Sequence, residues 1–61
     1  MSMEKAYKCI LAAWKMYRSF TGDWQAFADA LEAPDIKAAC ETQFGRDLII
    51  AVERELRNDR I

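Results

Sequence analysis

Met3, Tyr7, Ile10, Trp14 and Tyr17 follow one another at steps of four, three, four and three. At about 100° per residue, such steps keep five large apolar side chains on one face of a helix. Ala6, Ala13 and Phe20 widen that face, whereas Glu4, Lys8, Lys15 and Arg18 fall on the opposite side. Residues 3–20 therefore read as one long amphipathic helix, with the stripe, Trp14 included, expected to face a core.

Punctuation after this segment is clear. Gly22 can take the left-handed conformation that closes a helix, and Asp23 can cap the next one by accepting a hydrogen bond from its first unpaired amides. Trp24, Phe27, Ala28 and Leu31 recur at helical offsets, which predicts a second helix over 23–33 with Trp24 on its core side. Pro34 disfavours helical geometry in the residue before it and suits a first helical turn, so a third helix is expected from 35 to 44. Its apolar positions are Ile36, Ala39, Cys40 and Phe44, and a fourth set, Leu48, Ile49, Val52 and Leu56, predicts a helix over 47–58. One helix running through Gly45 would cost only about 1 kcal/mol. The series 36, 40, 44, 48, 52 and 56 advances by fours and drifts around the axis, so a break or bend at Gly45 is favoured, with Asp47 capping the last helix. Hairpin dipeptides and alternating runs are absent. The expected fold is all-α, a single domain over 1–61 built as a small bundle of three to four short helices.

Composition narrows function more than it identifies it. A 61-residue chain buries only about 60% of the surface its unfolded form exposes, which makes a marginal core. With two Gly and one Pro in 61 residues, there is no material for a linker or a disordered tail. Nine basic against ten acidic residues leave a net charge of -1, hence no overall positive field for nucleic acid or an anionic membrane. Charge is nevertheless segregated. Residues 2–20 hold four basic and one acidic residue, a net of +3, whereas 21–45 hold one basic and five acidic, a net of -4. Such segregation either pairs within the fold or across a dimer, or aims one face at a partner of opposite charge.

Catalysis is not supported. The chain has no His, the commonest general base and metal ligand. Glu53 and Glu55 diverge on a helix, whereas Glu53 with Arg57, and Glu4 with Lys8, have the spacing of stabilising surface pairs. No Gly-rich phosphate loop exists, and two thiols cannot complete a zinc site without further ligands. No cofactor and no metal are expected. Cys9 and Cys40 are expected to be reduced small hydrophobes, with a disulfide and a reactive thiol as the alternatives. The amino-terminal segment is interrupted by Lys8, Lys15 and Arg18, so neither a secretory signal nor a membrane span is read there, and the cytoplasm is the expected location.

Two surfaces invite a binding hypothesis. Phe27-Ala28-Asp29-Ala30-Leu31 resembles the first helix of a DNA-binding helix-turn-helix, with Ala at the tight crossing point. The following turn is Glu32-Ala33-Pro34, where that motif places Gly, and Asp35–Gln43 offers one Lys against two acids for a recognition helix. The second surface is on the first helix. Leu11 points between Lys15 and Arg18 with Tyr7 beside it, an apolar pair inside the basic side. Tyr7, Leu11, Lys15 and Arg18 are thus the candidate partner-binding residues, apolar anchors with charge at the rim. The leading expectation is a non-enzymatic regulator, inhibitor or adaptor that binds another protein, in a homodimer favoured by seven aromatics in so short a chain. Small proteins of this kind are common products of phages and mobile elements. A helix-turn-helix repressor and a structural assembly subunit are the alternatives, and the acidic surface of Asp29, Glu32 and Asp35 is the alternative docking site.

Overall fold

The structure, a computed structural model, describes residues 1–58. Four helices follow in order: α1 (Met3–Ser19), α2 (Trp24–Ala30), α3 (Pro34–Ala39) and α4 (Gln43–Asn58). No strand occurs among the described residues. This is the small all-α bundle that the patterning predicts.

The boundaries at Gly22, Asp23 and Pro34 have the local causes read from the sequence, the Ser2 cap of α1 adds one that was not read, and α2 ends at Ala30, three residues before the expected position. Ser2 Oγ accepts a hydrogen bond from the Lys5 N–H at 3.1 Å and so caps α1, with Glu4 adding negative charge in its first turn. Phe20 leaves the helix in extended geometry, and Gly22, at φ 99°, makes a left-handed turn that a side chain would strain. Asp23 then caps α2, its carboxylate accepting from the Gln25 N–H at 2.9 Å. Pro34 opens α3, where its missing N–H costs no hydrogen bond.

The break expected at Gly45 lies elsewhere. α3 ends at Ala39, five residues before the expected position, and α4 starts at Gln43, so Gly45 sits inside the first turn of α4. Thr42, not Asp47, caps that helix. Its hydroxyl accepts from the Gly45 N–H at 2.9 Å and donates to the Ala39 carbonyl at 3.0 Å. A hydroxyl has a single proton, so the Cys9 thiol, 3.5 Å away, is the donor in its contact with Thr42 Oγ1. One side chain thereby ties α1, α3 and α4 together. Glycine is required at 45 by proximity: a Cβ there would overlap the Ala39 carbonyl oxygen and lie 2.6 Å from its carbon. Asp47 instead accepts from Gln43 Nε2 at 2.8 Å.

The core also differs from expectation in which face of α1 it uses. α1 packs chiefly on α4 and secondly on α3. Cys9, Ala12, Ala13 and Met16 are its buried residues, meeting Ile36 and Ala39 of α3 and Ile49 and Leu56 of α4. Phe27 completes the core from α2. These α1 positions recur at three, one and three, and their stripe is rotated roughly 130° from the Met3–Tyr17 stripe. The larger stripe is therefore outside: Met3 is 91% and Trp14 57% exposed, and Tyr7, Ile10 and Tyr17 are exposed as well. The cause is side-chain size. Two helices must close on α1, and interaxial distances near 8–10 Å depend on the residues at the contact. Alanine and cysteine allow that approach, whereas Trp14 and Tyr17 would hold the helices apart.

α1 and α4 advance in the same sense. Thr42, just before α4, meets Cys9, and Val52 lies with Ala13, Trp14 and Tyr17 along one groove. Farther on, Arg57 stacks over the Trp24 ring at 4.5 Å, past the end of α1. That end of the bundle is an aromatic cluster in which Trp24 is half-buried, its ring centroid 4.6 Å from Phe20 and 5.2 Å from Phe27.

Candidate functional site

α1 carries three distinct faces, and two of them are open. Its basic side borders a groove against α3 of about 690 Å³. Small residues make the floor, Cys9 and Ala12 from α1 with Ala38 and Ala39 from α3. Leu11 and Lys15, two of the four expected partner-binding residues, line the wall. Leu11 is 44% exposed, so an apolar side chain stands beside an apolar floor at a surface ringed by charge. Tyr7 and Arg18 are exposed on the same helix but are not among the lining residues.

The charges around this groove are partly engaged. Lys15 Nζ donates to Asp35 Oδ2 at 3.0 Å, joining the basic first segment to the acidic middle one. That hydrogen bond is the main reason the Asp35 carboxyl titrates below the ordinary carboxylate range; partial desolvation opposes it, and the lysine charge and the Ile36 N–H reinforce it. Lys8 pairs with Glu4 at 3.3 Å, as their spacing predicts, and Glu53 with Arg57 at 3.8 Å. Among the described residues, Lys5 and Arg18 form no ion pair, which leaves them as the α1 cations open to an incoming acid. Lys37, the one basic side chain of α3, is paired with Glu32 at 3.1 Å, beside exposed Asp35 and Glu41. The acidic alternative surface is thus divided: Asp35 and Glu32 are occupied by lysines, and Asp29 accepts from Gln25 Nε2 at 3.2 Å.

The second open face is the Met3–Tyr17 stripe, which sequence reasoning assigned to the core. The rings of Trp14 and Tyr17 lie 6.2 Å apart with their planes 9° from parallel. Beside them runs a shallow apolar furrow lined by Ile10, Ala13, Trp14, Tyr17 and Val52. The signal that could have revealed this was the second, smaller stripe at 9, 12, 13 and 16, hidden because alanine and cysteine contribute little to a hydropathy pattern.

Both thiols are free, Cys9 buried and Cys40 half-buried, as expected of small hydrophobes. No helix among the described residues is long and apolar enough to cross a membrane. Fold and surface together define the class: a small all-α bundle with two open faces on its first helix. No family model matches the chain, and neither a curated protein nor a solved structure resembles it at a significant level.

Proposed function

We propose that this chain is a non-enzymatic protein-binding module, a regulator, inhibitor or adaptor that docks on another protein through the basic side of α1. Its place of action is the cytoplasm, where both thiols stay reduced. The observation that carries the reading is Leu11, an exposed apolar side chain at the wall of a groove floored by small residues and rimmed by charge, Lys5, Lys8 and Lys15 from α1 together with Glu4, Asp35 and Glu41. An anchor of this kind suits a helix or strand that offers an apolar ridge flanked by acids. Tyr7 would extend the apolar contact. Arg18 and Lys5 would meet the acids directly, and Lys15 would do so by exchanging Asp35 for the partner's carboxylate, a swap between two exposed ion pairs of small energy.

Leu11→Asp tests this. The carboxylate is solvated in the free protein and buried without a partner in the complex, so binding should fall by at least about 100-fold while helicity is kept. Arg18→Glu should chiefly slow association and flatten its salt dependence. Side-by-side capture from a host lysate on immobilised parent and Leu11→Asp protein gives the readout. Bound proteins retained equally by both would move the site off this side of α1. Retention on heparin at low salt would instead favour the DNA-binding alternative, to which α3 contributes only the paired Lys37.

A further inference from the structure

We infer that the Met3–Tyr17 face of α1, together with the adjoining flank of α4, is where a second copy of this chain docks. Among the described residues, six of the nine exposed large hydrophobics belong to this one face: Met3, Tyr7, Ile10, Trp14 and Tyr17 from α1, and Phe44 from α4. The α4 flank is fixed by Val52, which lines the furrow beside Trp14. Phe44, Leu48, Val52 and Glu55 follow at steps of four, four and three, so they share that flank of the helix.

Area argues for a whole protein surface as the occupant. Tyr7, Trp14 and Tyr17 are 61%, 57% and 37% exposed; at about 150–250 Å² per aromatic side chain they present roughly 350 Å². Met3, Ile10 and Phe44 bring the patch to about 600–700 Å², by the same scale of side-chain area. The largest apolar patch on an ordinary monomer is about 300–600 Å², and each partner in a stable dimer buries about 800 Å². The polar rim supplies the difference.

Three features make a second copy the fitting partner. The face carries both a raised pair of rings, Trp14 and Tyr17, and the shallow furrow that they line with Ile10, Ala13 and Val52, so a two-fold axis lying along the helices would bring each pair of rings toward the other copy's furrow. The same axis places α1 over the other copy's α4 with their outer rims matched. Arg18 is on the outer rim of α1 and Glu55 on that of α4, both about one turn beyond the level of Trp14 and Val52, opposite in charge and without an ion pair among the described residues. The last feature is energetic. Nine of the described residues form the buried core, and of these Cys9, Ala12, Ala13 and Ala39 are small; chains of this size commonly gain stability by association. This face shares Tyr7 and Arg18 with the proposed hetero-partner surface but leaves out Leu11 and its groove, so Leu11 and Trp14 variants separate hetero-partner binding from self-association.

Sedimentation equilibrium of the whole chain across a micromolar series is the test. The expected result is a mass of twice 7.1 kDa, with Trp14→Asp weakening association on the order of 100-fold at unchanged helicity. Leu11→Asp should remain a dimer. Arg18→Glu should weaken the dimer, and pairing it with Glu55→Arg should restore it. A parent protein that stays at one chain mass to several hundred micromolar would overturn the inference without recourse to any variant. So would a Trp14→Asp protein that dimerises as tightly as the parent, or a series that grows past the dimer into an open assembly.

Discussion

The two tryptophans began as equals in the sequence and ended in opposite environments. Each belongs to a complete apolar stripe at helical spacing. Trp24 is half-buried among Phe20 and Phe27, with the Arg57 guanidinium over its ring. Trp14 lies on the outside of α1, stacked on Tyr17, with furrow on one side and solvent on the other. What separates them is the company of a second element. Trp24 follows a tight turn at Gly22 that folds α2 back onto the end of α1, so aromatic side chains from both sides of the turn converge. Trp14 sits mid-helix, where two other helices have already closed on the alanine and cysteine side. A stripe of large apolar residues establishes that a helix is amphipathic. It does not establish that its apolar side faces the interior of the same chain.

The largest expected effect breaks the buried member of the pair. Trp24→Ala should lower folding stability by about 3 kcal/mol, from lost burial and an unfilled gap against Phe20 and Phe27. In a chain of this length that removes much of the folded population, and a urea titration followed by circular dichroism reads it. A loss below about 1 kcal/mol would mean that the aromatic end contributes far less than its packing implies.

Next comes the corner where α4 starts against the end of α3. Gly45→Ala puts a methyl group into the Ala39 carbonyl, against backbone that cannot swing aside. An expected cost of about 1–3 kcal/mol follows from overpacking, although alanine raises helix propensity. Thermal denaturation that shows a more stable Gly45→Ala protein would restore the reading of Gly45 as a helix break.

Trp14→Ala sharpens the contrast from the other side. In protein dilute enough to be monomeric, its unfolding free energy should change by no more than about 0.5 kcal/mol, the usual range for surface positions. A loss near that of Trp24→Ala would place this ring inside the fold.

The smallest effect is electrostatic. Asp35 has a lower pKa in the folded protein than in the unfolded chain, because Lys15 donates to it. Its contribution is therefore present in full above the unfolded carboxylate value of about 3.9 and disappears as pH falls through the folded value. Denaturation midpoints of parent and Asp35→Asn should differ slightly and constantly from pH 7 to 5, then converge below pH 4. High salt should shrink the difference, since both side chains are more than half exposed. A difference that instead widens in acid would give the pair the wrong sign.

Much of this architecture was legible because it is written in local chemistry. Asp23, Gly22 and Pro34 act within a few residues of themselves, and the stripe of Ile49, Val52 and Leu56 faces inward as its spacing suggests. Long-range contact was not legible. Thr42 is unremarkable until Cys9, Ala39 and Gly45 surround its hydroxyl, and the glycine at 45 resembles a helix break until the Ala39 carbonyl is seen beside it. Of the candidate docking residues, Leu11 stood out by being apolar on a charged side, and it lines the groove. The Trp14 face passed as core because hydropathy weighs a tryptophan heavily and an alanine hardly at all.

Collisional quenching of each tryptophan alone tests the two-faced reading of α1 most directly. Trp24→Phe leaves Trp14 as the only indole, and Trp14→Phe leaves Trp24. At the dilute end of a concentration series, acrylamide should quench Trp14 nearly as well as a free indole and Trp24 much less. On concentration Trp14 should become protected, with a blue-shifted emission, as the second copy covers it, while Trp24 stays unchanged. Trp14 that is shielded as strongly as Trp24 at every dilution, in a protein of single-chain mass, would put the large stripe back in the core and contradict the account.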